Sequence, residues 1–483
     1  MFSKKTKNYH KTKLESYLTG AIFCTIFLSG FLAWGNAKAA CTGSSPTWTT
    51  TPDYESISSC VSQASEGDTI NVSAGTETWA DNLHITKGIT IIGAGIGNTN
   101  ITGSFTATNS WELSPEHYNI AIVPATPADN PVIRISGFTF NFGTGAYGIL
   151  YHNTKTDGTD LTNVRLDHLS IYSPPSKYLF VRYGLAHGVM DNCEINGRMD
   201  MLGDASLWSN TNYAYGTNSN FYFEDNTWTA EAATNIEMQA GNGAGRYAFR
   251  YNTITTPTNY RAYPIFDLHG NQYDERASGY GAEIYGNDIT ADAPSGTTVS
   301  LVRQRGGKFL LFNNNISYSA GDGVSAAIME EHLDSDGSGN ATSPNGQPQH
   351  ISDTYYWTNP VNGTEIVPEL LDSLSIGIPE ENTHVWFKKA SFDGSVGMGC
   401  GILGNRPDTC TTGVGYWATD QSCTDLTGMF GRDPETPVEG TLYKCTDTDT
   451  WEEYYTPYTY PHPLRTEAND IVAPAAPSGL AVS

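Results

Sequence analysis

The chain has 483 residues, 16% of them charged, with 49 glycines, 12% aromatic side chains and a formal net charge of −25. So acidic a surface repels nucleic acid and anionic membranes, and both are excluded as partners. An acidic polysaccharide is not excluded, because a local basic site or a bound cation overrides the global sign.

Residues 1–39 read as an export signal. Lys4, Lys5, Lys7, Lys11 and Lys13 precede an apolar stretch, Leu18–Trp34, and Ala37-Lys38-Ala39 fits a small-x-small cleavage site. Cleavage removes six lysines and one glutamate and leaves a net charge of −30. The expected location is extracellular or at the cell surface, or the periplasm, with no membrane attachment after cleavage. Export favours disulfides. Cys41–Cys60 is the expected bridge of the N-terminal cap, and Cys400–Cys410 and Cys423–Cys445 are the nearest-neighbour pairings among several connectivities. Cys193 falls in an inward column and is expected to be a buried free thiol.

Tyr54–Ala64 (YESISSCVSQA) has the pattern of a short amphipathic helix closing one end of a stack. EGDTINVSAGT and HITKGITIIGAGIGNTNITG follow as short strands broken by glycine turns. The run Gly88-Ile89-Thr90-Ile91-Ile92-Gly93-Ala94-Gly95, after that opening, resembles the first coils of the pectin-lyase-like superfamily. The resemblance spans roughly residues 50–330 and implies a right-handed parallel β-helix. It does not imply one activity, since lyases, hydrolases, epimerases and adhesins share that fold.

Repeats carry the same reading independently. FYFEDNTWT, YAFRYNTIT, AEIYGNDIT and LLFNNNIS place Asn226, Asn252, Asn287 and Asn314 at one corner, and earlier coils place Phe138, Leu169 and Cys193 there. Two residues on, the column is Phe140, Ile171, Ile195, Trp228, Ile254, Ile289 and Ile316. Three residues before the corner it is Ile135, Leu166, Met190, Phe223, Phe249, Ile284 and Leu311. Such columns mark a solenoid whose coils bury their inward residues on one another. The stacked asparagines are structural, since amides bond along the ladder and to the turn backbone. The fold class is all-β: a parallel β-helix over 40–333, a polar loop at 334–349, an aromatic, cysteine-containing C-terminal subdomain at 350–465 and a linker-like tail at 466–483. DSDGSGN within the polar loop lacks the terminal Glu of a calcium loop. Tyr455–Arg465 resembles an ending of secreted bacterial β-helix proteins, and Ala473–Ser483 the opening of a fibronectin-type module.

Counting back from each Asn corner locates a strand whose outward residues form a candidate site. Ile236 and Met238 point in, so Glu237 and Gln239 point out; Phe266 and Leu268 point in, so Asp267 and His269 point out. In the next coil Val302 and Gln304 point in and leave Arg303 and Arg305 out, a register that buries Gln304 and exposes Leu301. Asp267, His269, Arg303, Arg305 and Glu237 are the candidate catalytic residues. Gln239, Arg246, Arg276, Arg182 and Glu330 are candidate substrate-binding residues, with Glu331 and His332 beside the last. Carboxylate, His and Arg together suit a polysaccharide lyase. A base takes the C5 proton of a uronate while Arg, or calcium in place of no cofactor at all, neutralises the sugar carboxylate. Two alternatives remain open: an inverting hydrolase using Glu237 and Asp267, and a glycan-binding or scaffold protein without catalysis. Asp167-His168 in VRLDHLSI resembles the Asp-His pair of pectate-lyase coils, but the downstream basic motif of those lyases is absent. A monomer is expected. The Tyr- and Trp-rich stretches Trp208–Tyr215, Tyr355–Trp357 and Trp451–Tyr460 suit either sugar stacking or packing.

Overall fold

The computed structural model describes residues 41–107, 114–155, 157–174, 176–203, 214–229, 237–240, 244–256, 264–270, 278–319, 321–329, 350–371 and 379–465. The export signal, the polar loop and the tail lie outside them. Among the described residues no helix is long and apolar enough to cross a membrane.

Short alternating sequences give short strands, and the strands build three long parallel sheets. Thr69–Val72, Gly75–Trp79 and Leu83–Ile85 enter the first, second and third sheet in turn. Each then pairs in parallel with the strand three places later: Thr90–Ile92, Thr99–Gly103 and Tyr118–Ile122. The apolar columns read from the sequence are the pairing register. Ile135, Leu166, Met190, Phe223, Phe249, Ile284 and Leu311 are successive partners in the first sheet. Phe140, Ile171, Ile195, Trp228, Ile254, Ile289 and Ile316 are successive partners in the second. All fourteen are buried in one cluster, each contributing about 1.5–3 kcal/mol by leaving water.

One end is closed by the helix Tyr54–Gln63. Asp53 caps it by accepting from the Ser56 N–H, and Ile57, Cys60 and Val61 face inward. The Cys41–Cys60 bridge ties the preceding segment to this helix.

From Gly137 on, the corner between the first and second sheets repeats one backbone conformation. Gly137, His168, Asn192, Asp225, Tyr251, Gly286, Asn313 and Thr358 all have positive φ. The next residue is the inward corner position, and from Asn226 on it is asparagine. Asn226 Nδ2 donates to Asn252 Oδ1 at 3.0 Å, Asn252 to Asn287 at 3.1 Å, Asn287 to Asn314 at 2.9 Å and Asn314 to Asn359 at 2.8 Å. Each Oδ1 also accepts the backbone N–H of the preceding coil, as Asn287 does from Asn252 at 2.9 Å. Asn359 lies beyond residue 333, where the sequence reading ends the repeats. The sheets run on there: Thr354–Trp357 and Val385–Phe387 extend the first, Pro360–Val361 the second and Glu369–Leu371 the third.

The outer face of the first sheet is covered by the C-terminal part. A fourth sheet, of Met398–Gly401, Gly415–Ala418, Thr441–Asp447 and Thr450–Tyr455, packs on a stacked column of rings. Tyr285 stacks on Phe312 at 4.7 Å and Phe312 on Trp357 at 4.1 Å, and Trp417 of the fourth sheet lies 5.4 Å from Trp357. The stretches Tyr355–Trp357 and Trp451–Tyr455 thus serve packing; most of Trp208–Tyr215 lies outside the described residues. The bridges here are Cys400–Cys423 and Cys410–Cys445, not the neighbour pairings expected. Gly415–Ala418 separates the strand of Cys400 from that of Cys445, and the loop after Leu403–Asn405 carries Cys410 past it onto the Cys445 strand. Cys193 is buried and free.

Beyond the fourth sheet, residues 456–465 form a strap along the remaining face. Tyr458 lies 5.2 Å from Tyr222. Arg250 donates to the carbonyls of Tyr458 and Thr459 and to Glu224. Arg465 pairs with Glu224 at 3.0 Å, with Asp225, and with Asp191 at 3.4 Å. Tyr460 donates its hydroxyl to Asp225.

Two predictions follow from these contacts. Asn252→Leu should lower unfolding stability by about 2–4 kcal/mol in denaturant titration, because several backbone groups at the corner lose their buried partner. Glu283, buried beneath the fourth sheet, accepts from Gly216 N–H at 2.9 Å and Asn220 Nδ2, and burial pushes its carboxyl from 4.5 up to about 7. The folded state therefore holds this proton more tightly than the unfolded chain. Its contribution is fully present below about 4.5 and is lost as pH rises to about 7. Glu283→Gln should remove that pH-dependent loss, roughly 3 kcal/mol by the linkage relation, making the variant more stable than wild type at pH 8; an unchanged pH profile would refute it.

Candidate functional site

The third sheet carries the outward residues singled out by counting. One ladder on its outer face runs Leu150, Val181, Asp200, Gln239, Asp267, Arg303, Ala327 and Glu369 in successive coils. Rungs lie about 4.8 Å apart. Glu237 pairs with Arg198 in the neighbouring column. Gln239, Asp267 and Arg303 are thus consecutive on one face, as the register requires.

The uncertain coil, SLVRQRGG, is explained by a local irregularity. Gln304 is buried, but its Nε2 donates to Thr354 Oγ1 at 2.9 Å and to the Gly307 carbonyl at 3.2 Å. Leu301 is also buried in the main core, contrary to the expectation that it faces out. The register against Gly323–Met329 shifts between Ser300 and Val302. A bulge there lets Leu301 and Val302 both point inward.

Asp267 and Arg305 are locked together. Nε of Arg305 donates to Asp267 Oδ1 at 3.1 Å, and Nη2 donates to Oδ2. The carboxylate is fully buried and the guanidinium nearly so. A bidentate, charge-assisted pair of this kind occupies both oxygens of the acid. Asp267 is therefore not poised for proton transfer, and Arg305 spends its charge on it. His269 is 9% exposed at the end of the same strand; its Nδ1 lies 2.7 Å from the Gly270 carbonyl. A carbonyl only accepts, so the neutral ring is protonated on Nδ1 and Nε2 is the basic nitrogen.

Arg303 is different. It is half-buried, forms no ion pair with a described residue, and its Nε has no hydrogen-bond partner. Its nearest polar contact is weak, Nη2 to Met329 Sδ at 3.8 Å. The Cα partner on one side is Asp267, already taken by Arg305, and on the other is Ala327, too short to reach it.

Two predicted substrate-binding arginines are not on this face. Arg182 is completely buried at the corner between the third and first sheets, donating to the carbonyls of Gly184, Leu202 at 3.1 Å and Arg246 at 2.6 Å. Burial, with Arg246 nearby, pushes its guanidinium down to about 9. Arg246 opens a first-sheet strand and is also buried. Both hold the corner rather than meet solvent. Arg276, Glu330, Glu331 and His332 lie outside the described residues, and of Glu237 and Gln239 only the strand positions are described. Among the described residues no group of three or more His, Cys, Asp or Glu side chains could hold a metal ion. The calcium alternative thus has no ligand set among them, and no step is derived through it.

Asp167-His168 lies at a densely bonded polar centre of the first sheet. Asp167 is fully buried. It accepts from Arg134 Nε and Nη2, both at 2.7 Å, from Ser136 Oγ at 2.9 Å and lies 2.8 Å from His168 Nδ1. Burial alone would raise its pKa; the bonds from Arg134 and His168 and the charge of Arg165 outweigh that and hold it well below the usual carboxylate range. His168 is the left-handed corner residue of its coil. The outward sequence Arg-x-Asp-His was the available signal.

The Asp267–Arg305 lock gives a direct test. Arg305→Ala should cost about 3–5 kcal/mol in equilibrium unfolding, because a buried carboxylate is left uncompensated. The double variant Asp267→Asn/Arg305→Met should recover most of that loss; equal damage in both would mean the pair is not the dominant interaction. No protein-family model matches this chain, and no curated protein does.

Proposed function

We propose that the chain is a right-handed parallel β-helix of the pectin-lyase-like kind, exported, that cleaves an acidic polysaccharide by β-elimination on the outer face of its third sheet. The winding of successive strands through three parallel sheets and the three disulfides support the fold and the exported setting. The observation that carries the activity is Arg303: a half-buried guanidinium without a carboxylate partner among the described residues, on a face where the neighbouring acid and base neutralise each other.

In this reading Arg303 binds the carboxylate of a uronate unit. Pairing withdraws charge from that group and lowers the barrier to removing the adjacent C5 proton. His269 Nε2 takes the proton, the C4–O bond breaks, a C4–C5 double bond forms, and the leaving oxygen is protonated from solvent. From strand geometry, the Cα atoms of His269 and Arg303 lie one rung and two residues apart, about 8 Å, within the span of one sugar. The Asp267–Arg305 pair positions this machinery and takes no proton. That lock disfavours the hydrolase alternative, in which Asp267 must act as acid or base. It equally suits binding without cleavage, which the assay separates.

The mature protein, incubated with pectate, alginate, chondroitin and glucuronan, should generate ultraviolet absorbance from an unsaturated product on at least one of them. Arg303→Ala should reduce that rate at least a hundredfold with a melting temperature no lower than that of the wild type. New reducing ends without absorbance would indicate hydrolysis. Retention on a glycan column with no cleavage would indicate binding alone.

A further inference from the structure

A concave surface lies on the outer face of the first sheet, away from the third-sheet residues. The strap ends over the first sheet at Leu464 and Arg465, and N-terminal of that end the sheet's outer face is open as a cleft of about 490 Å³. This lies within the roughly 300–1,000 Å³ of small-molecule sites. We propose that this cleft binds an anionic sugar unit through its carboxylate or sulfate.

Three observations converge on that chemistry. The first is apolar surface left in water. Val132 is 48% and Ile96 37% exposed, and both line the cleft with Leu464. Apolar side chains facing a concave surface suit the C–H faces of a sugar ring.

The second is the layering of charge. Arg134, Arg165 and His168 line the cleft, with side chains 12%, 4% and 43% exposed. The carboxylates that orient them, Asp167 and Asp191, are 0% exposed beneath. The surface a ligand meets therefore presents guanidinium and imidazole groups, while the carboxylates that balance the two guanidinium charges lie beneath it. A low-dielectric floor and fixed guanidinium groups favour an anion there.

The third is preorganisation. Asp167 grips Arg134 by two bonds, and Asp191 accepts from Arg165 Nε and Nη2, both at 2.9 Å. Both guanidinium planes are therefore set before a ligand arrives, which lowers the ordering cost of binding. His168 is fixed by its Asp167 contact at 2.8 Å and stands on the corner turn, where its imidazole reaches the cleft.

The site is separate from the third-sheet face, so its test is made where that face is silenced. The full mature chain carrying Arg303→Ala is titrated calorimetrically with hexagalacturonate, with its fully methyl-esterified counterpart and with a sulfated disaccharide. Binding of the carboxylated or the sulfated probe, with the neutral ester at least tenfold weaker, is expected. Adding Val132→Asp or Ile96→Asp, both at exposed positions, should weaken binding tenfold or more without moving the melting temperature. His168→Asn should also weaken it; asparagine tolerates the left-handed backbone and can donate to Asp167, so folding is retained. Equal affinity for the neutral ester, no binding of either anion, or cleft variants with unchanged affinity would overturn the proposal. Absence of polysaccharide cleavage by the wild type would overturn the lyase reading and leave this one standing.

Discussion

The architecture depends on satisfying the backbone at one corner. From Gly137 to Thr358 each coil turns from the first sheet to the second through a left-handed residue, and the following residue points inward. A turn buried in the core strands N–H and C=O groups, each costing about 1–3 kcal/mol if unpaired. The asparagine amides meet this need repeatedly. Asn252 Nδ2 donates to the carbonyls of Arg250 and Phe223 and to Asn287 Oδ1, while its own Oδ1 accepts from Asn226. Each amide is complete only if its neighbours are present, so the ladder fixes coil length and register together. Coils before Asn226 use Phe138, Leu169 and Cys193 at this position instead; the Cys193 N–H donates to Asn226 Oδ1, and the earlier corners use backbone bonds such as Gly137 N–H to the His168 carbonyl.

That corner also sets what can be built outside it. Tyr251 and Thr358 are poor left-handed residues, at a cost of order 1–2 kcal/mol each. Tyr251 offsets its share through the C-terminal part: its hydroxyl accepts from Val438 N–H at 2.8 Å and its ring lies 4.4 Å from Tyr460. The strap completes the charges of the first sheet in the same way. Glu224 and Asp225 are buried carboxylates whose cations are Arg250 and, at the strap's far end, Arg465, which also lies 3.4 Å from Asp191 beside that residue's own partner Arg165. The core coils and the C-terminal cover are therefore mutually dependent, not two stable units in contact.

How far this was legible in the sequence follows from the range of the interactions. Asn226, Asn252, Asn287 and Asn314 were readable because one residue type recurs within alternating apolar strands. Asn359 belongs to the same ladder but follows Asn314 by 45 residues and sits after Tyr-Tyr-Trp-Thr, where the alternation is lost. The outward positions of Asp267 and Arg303 were readable from period two. The bulge at Leu301 was not, since it depends on the partner strand. Arg182 and Arg246 read as candidate substrate-binding residues in the sequence, and only the fold shows that both are buried and that three carbonyls accept from Arg182. The crossed disulfides are long-range in the same sense.

Arg303 and Arg305 show why such detail governs chemistry. They differ by two residues on one face, and composition treats them alike. Arg305 reaches Asp267 with its planar fork, and that geometry exhausts the carboxylate. Arg303 stands directly beside Asp267 in the ladder and finds it taken, with only alanine on the following rung. Its buried Nε then carries a desolvation cost of about 1–3 kcal/mol with nothing in the described protein to offset it. A carboxylate arriving from outside would offset that cost and gain a charge-assisted bond as well. Asp267 and Arg305, two of the five candidate catalytic residues of the sequence, neutralise each other, and by doing so they leave Arg303 without a carboxylate among the described residues.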